Sequence, residues 1–71
     1  MDFSSALYDL KAGAKIQRSG WNGADLFVTM TPANGEVGAY FSIHKPNGTV
    51  QPGWIPSMGD LLADDWRSFY D

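Results

Sequence analysis

Apolar residues Phe3, Ala6, Leu7 and Leu10 recur at i, i+3, i+4 and i+7, one stripe of a 3.6-residue repeat. The spacing predicts a helix over 2–13. Asp2 stands before the stripe as N-cap, with Ser4 and Ser5 as alternatives. Lys11 suits the negative C-terminal end, and Gly13 can take the left-handed conformation that closes the helix. Three turns of helix do not stand alone in water, so the stripe must dock on another element.

The remaining pattern is that of short strands. Residues 15–18 alternate and stop at Ser19-Gly20-Trp21-Asn22-Gly23, a turn by composition. Residues 26–30 carry the β-branched and aromatic content of a buried strand. Pro32, Asn34-Gly35 and Gly38 make 31–38 a loop or ragged hairpin. Strand character resumes over 39–45, with Phe41, Ile43 and Lys45 on one face and Tyr40, Ser42 and His44 on the other. Pro46-Asn47-Gly48 suits a type I′ hairpin leading into a partner strand over 49–51, stopped by Pro52. Residues 53–56 are extended, because a residue before proline avoids the helical region. Ser57 then caps a helical turn over 58–63 with Asp60 as acidic partner, and a last extended piece spans 66–70. The order is that of an α+β domain occupying 1–71. An N-terminal helix packs on a small antiparallel sheet, with a short helical turn near the C-terminus.

Composition narrows the function. At 71 residues the chain is a single core that buries only about 60 % of its unfolded surface, so self-association is the expected supplement. It has no cysteine and one histidine, which excludes disulfides and thiolate zinc and disfavours a His-rich metal site. The net charge of −3 argues against binding polymeric nucleic acid. No run approaches the ~18 apolar residues of a membrane span, and Met1 leads into polar sequence without a signal peptide, so a cytoplasmic location is expected.

No enzyme signature emerges, and none for a cofactor. Asp64 and Asp65 are sequence neighbours that point to opposite faces of a strand, so with Asp60 they read as caps and solvated charge. His44 lacks an orienting acid and an oxyanion hole, and the glycines fit neither a phosphate loop nor a dinucleotide fingerprint.

Binding is better served. Trp21 and Asn22 sit between two glycines that permit close backbone approach; the indole can stack on a base, and the amide can donate and accept at once. Arg18 just before them suits a phosphate. Pro52 and Pro56 stiffen the segment that carries Trp54, and the Ser57 cap with Asp60 adds a polar corner. The alternative, core tryptophans and a structural strand-to-helix corner, is equally compatible with these residues. Together the two segments have the composition of an aromatic-walled small-molecule site.

These same segments carry a family resemblance. Phe3-Ser4-Ser5-Ala6-Leu7 through Leu10-Lys11-Ala12-Gly13 resembles F-x-x-A-L followed by L-K-x-G, and Arg18-Ser19-Gly20-Trp21-Asn22-Gly23 resembles R-x-G-W-N-G. Trp54-Ile55-Pro56-Ser57 through Asp60-Leu61-Leu62-Ala63-Asp64-Asp65-Trp66 resembles W-x-x-S followed by D-L/M-L-A-x-D-W. In this order they resemble the phage Thoeris anti-defence two family. The middle, 25–51, carries few family landmarks, and Gly53 and Met58-Gly59 depart from the commoner pattern.

The resemblance implies a non-catalytic sponge that sequesters cyclic nucleotide immune messengers, glyco-cyclic ADP-ribose isomers and in some members cyclic di- or oligonucleotides. It also implies a homotetramer with pockets between protomers. Carried over by position, Arg18, Trp21, Asn22, Trp54, Ser57 and Asp60 become the ligand-contact residues, with no catalytic or metal residue. A sponge needs affinity near nanomolar, about −12 kcal/mol. An acidic chain must then gather its cations Lys15, Arg18, Lys45 and Arg67 near the pocket, or use backbone amides. The other reading, a phage or prophage protein–protein inhibitor without a small-molecule ligand, rests on the same aromatics.

Overall fold

The computed structural model describes residues 1–21 and 25–69. Helix α1 runs Phe3–Lys11, and the Asp2 side chain caps it by accepting from the Ser5 N–H. Gly13 follows with φ 94°, the left-handed geometry the helix end requires. Five strands follow the helix: β1 Ile16–Arg18, β2 Phe27–Thr31, β3 Tyr40–His44, β4 Val50–Pro52 and β5 Trp66–Ser68. A one-turn helix, α2 Met58–Leu62, precedes the last strand.

The sheet is antiparallel throughout, in the order β4-β3-β2-β1-β5. Ile16 pairs with Val28 on one side and Ser68 on the other, and Val28 pairs with Ile43. Residues that pair directly share a face. Ile16, Val28, Met30, Phe41, Ile43 and Trp66 therefore all turn toward α1. The core is Ala6 and Leu10 of the helix stripe against Ile16, Val28 and Trp66. Phe3 and Leu7, the rest of the stripe, are half-buried.

Two sequence expectations change. Strand β2 is central in the sheet, yet only Val28 is buried, because both helices lie on one side. On the other side Phe27 stacks between His44 and Phe69, at 4.4 and 4.9 Å between ring centroids. The hairpin at Pro46-Asn47-Gly48 is not type I′, which needs two positive φ values. Only Gly48 has one, 85°, and the Gly48 N–H donates to Lys45 O while the Lys45 N–H donates to Thr49 O. This is a three-residue loop closed by a glycine, and Asn47 Oδ1 accepts from the Thr49 N–H at 2.9 Å. The loop over 31–38 is the small hairpin its composition suggests, with Asn34 and Val37 exchanging backbone bonds around Gly35.

Candidate functional site

The two binding segments of the sequence meet on the helix-covered side of the sheet. Trp21, at the turn after β1, packs edge-on against Trp54, with centroids 6.0 Å apart. Both contact Trp66, at 5.4 and 6.5 Å, so three indoles form one cluster. Trp66 is its buried member, 2 % exposed, and its indole N–H donates to Asp60 O at 2.9 Å. Trp21 and Trp54 are half-buried.

A polar network grips the cluster from below. Arg18 donates from Nε to Asp65 Oδ1 at 2.9 Å and from Nη1 to Asp60 Oδ1 at 3.0 Å. Asp60 Oδ2 accepts from the Ser57 N–H, and Ser57 Oγ accepts from the Asp60 N–H, the reciprocal capping box of α2. Asp65 Oδ2 also takes the Gly20 N–H at 3.0 Å. A Cβ on Gly20 would meet that oxygen at 3.0 Å, a tight contact that the Asp65 side chain would have to relieve by shifting.

Asp60 caps α2 as its spacing from Ser57 suggests, but Asp60 and Asp65 are not merely solvated charge: different elements, not neighbouring positions, bring them both to Arg18. Burial raises the pKa of Asp60, but the Ser57 N–H, Arg18, the Ser57 hydroxyl and the Trp21 side chain outweigh it and hold the carboxyl below its ordinary value. Arg18 does the same to Asp65, helped by the Gly20 N–H, and the two carboxylates in turn bind the Arg18 proton more tightly.

An open cleft of about 490 Å³ lies on the Trp54 side of the cluster. Leu7 and Lys11 of α1, Met30 of β2, Tyr40 and Phe41 of β3, and Trp54 form its walls; Ile55 and Pro56 close the rim. Phe41 O accepts from both the Gly53 and Trp54 N–H groups, at 2.9 and 3.0 Å, which fixes the corner that presents Trp54. Gly53 makes the corner with φ 82°.

The structure therefore places the predicted residues unequally. Trp54 faces the cleft, and Trp21 backs it. Arg18, Ser57 and Asp60 bond to one another behind the indoles, and none of the three is among the residues that line the cleft. Asn22 lies outside the described residues.

Lys15 sits over the Phe27 ring and Arg67 donates to Gln17, both on the far face of the sheet, while Lys45 is at the hairpin. The cleft instead has Lys11 as its cation, and Tyr40 is also among its lining residues. The sequence read Lys11 as a helix-end charge, and nothing local marked either residue as a neighbour of Trp54.

A small α+β domain with an indole cluster at the mouth of a cleft is what this sequence builds, and comparison with known proteins gives it a family. The chain belongs to the Thoeris anti-defense 2-like family, whose domain model matches residues 1–69. It is similar to the protein called Thoeris anti-defense 2 from Bacillus phage SP01, 32 % identical over 82 aligned residues that cover 93 % of this chain and 91 % of that relative. Among the described residues, no helix is long and apolar enough to cross a membrane.

Proposed function

We propose that the chain counters Thoeris defence by sequestering its nucleotide signal, without cleaving it. Support for the anti-Thoeris role comes from the family and from the name of the phage relative. One observation carries the sequestration reading: Trp54 is held rigidly at an apolar cleft of about 490 Å³ and braced by Trp21. That volume is within the range of small-molecule pockets, and an indole wall suits a base.

A binding role also fits the titratable groups nearby, since Arg18 is engaged in ion pairs with both Asp60 and Asp65 and His44 bonds to Thr29 on the far face of the sheet. In this reading Trp54 touches the ligand and Trp21 braces Trp54, with Asn22 a further contact carried over from the family motif. Arg18, Ser57 and Asp60 hold those side chains in place. The ligand is a cyclic ADP-ribose-type or cyclic di- or oligonucleotide. The working form is a homotetramer in the host cytoplasm, its subunits meeting over exposed apolar residues such as Ile55, Met58 and Leu62.

Those exposed residues also favour a second reading, inhibition of a protein partner. One experiment separates the two. The protein is incubated with Thoeris signal from activated cells, filtered, then heat-denatured. Intact signal recovered after denaturation is the expected result, and Trp54→Ala, still folded by circular dichroism, releases it at least tenfold more readily. Degraded signal identifies an enzyme; no depletion by the wild type gives the role to a protein partner.

A further inference from the structure

We infer that the cleft between α1 and β3 takes a planar aromatic ring bearing an anionic group, and that Lys11 holds the anion. The inference rests on the sequestration reading and adds Lys11 to it. The walls are apolar and aromatic, among them Leu7, Met30, Phe41 and Trp54. Among the described residues, Lys11 is the one charged residue in the lining, and no carboxylate there opposes an anion.

Lys11 is exposed, and it forms no ion pair among the described residues. Its place in the last turn of α1 suits the helix dipole, but that interaction leaves Nζ uncommitted. An ammonium beside a low-dielectric wall attracts an anion more strongly than the same group on an open surface. The other four cations are committed or distant: Arg18 to two carboxylates, Lys15 and Arg67 to the far face, Lys45 to the hairpin. The ring fits against Trp54 and Phe41, whose own centroids lie 6.2 Å apart along the same wall.

The test uses adenosine 5′-monophosphate and adenosine as probes, titrated calorimetrically into the full chain. Wild type is expected to bind the monophosphate at least tenfold more tightly than the nucleoside, with the preference shrinking as salt rises. Lys11→Gln erases that preference and Lys11→Arg keeps it. Lys15→Gln, on the other face, leaves it unchanged.

Equal binding of the two probes, binding of neither, or a preference that survives Lys11→Gln overturns the inference. If neither binds and Ile55→Asp dissociates the assembly, the cleft belongs to a second copy of the chain. Signal depletion by a wild type that shows no Lys11-dependent preference sinks this inference alone. A Lys11-dependent preference without signal depletion sinks the sequestration reading alone.

Discussion

Trp66 and Trp54 stand 6.5 Å apart in one indole cluster, yet the first is sealed and the second lines an open cleft. Trp66 lies on β5, beneath Phe3 of α1, and its N–H is taken by the backbone of α2. Trp54 lies on an extended corner after β4, where strand pairing has stopped and no helix covers it. The same residue type does two jobs because one edge of the sheet is roofed and the other is not. At the roofed edge the indole supplies stability; at the open edge its face is left for something else.

The largest test of that contrast is truncation. Trp66→Ala should cost about 4 kcal/mol, lost contacts plus a cavity. A chain of this length has only roughly 4–10 kcal/mol in all, so the variant keeps at most about 6 kcal/mol and at the low end is about half unfolded. Trp54→Ala should cost about 1–2 kcal/mol, because a half-buried side chain leaves a smaller void. Urea denaturation followed by circular dichroism gives both values. Equal losses would abolish the distinction between a roofed and an open edge.

A smaller effect probes the polar network under the roofed edge. Asp60 and Asp65 have lower pKa values folded than unfolded, so the unfolded chain takes up protons first as pH falls. The stabilisation is complete above about pH 5, beyond the ordinary carboxylate range, and fades as pH drops toward the depressed native values. Melting temperature measured from pH 7 to pH 3 should show that decline. Asp60→Asn should flatten it and cost about 1–2 kcal/mol at neutral pH. An unchanged slope in the variant would place the acid sensitivity elsewhere.

The smallest effect belongs to the β3–β4 hairpin. Asn47→Ala removes one exposed bond to the Thr49 N–H and should cost about 0.5 kcal/mol in the same urea experiment. The cleft, shaped by Phe41 and the 53–56 corner, should keep any binding measured for the wild type. A larger loss would mean that the open edge depends on its hairpin more than its exposure suggests.

Local signals were legible in proportion to how local they are. The α1 stripe, its Asp2 cap, Gly13 and the Ser57–Asp60 capping box depend on spacings of a few residues, and the structure has each of them. The type of the Asn47-Gly48 turn was not legible, because Asn-Gly serves more than one loop length and the choice depends on how the flanking strands register. Nor was the destination of Arg18. A cation beside a tryptophan reads as a phosphate contact until α2 and β5 arrive with Asp60 and Asp65, 42 and 47 positions away. The cleft escaped for the same reason: Lys11, Tyr40 and Trp54 share it only because a helix end, a strand and a corner are stacked by the whole fold.

The strand order sets a timetable as well as a shape. β1 lies between β2 and β5, so one of its neighbours is close in sequence and the other, through Gln17 and Arg67, is 50 positions away. Pairing across such a distance pays its loop-closure entropy before any contact rewards it, and it forms slowly. The β2–β3–β4 meander is local and can zip early, while the β1–β5 seam must join strands far apart in sequence. Until it closes, Ala6, Leu10, Ile16 and Val28 lack the Trp66 indole that completes their core. A chain caught at that stage exposes apolar surface, which makes prompt final docking a condition of its yield in the cell.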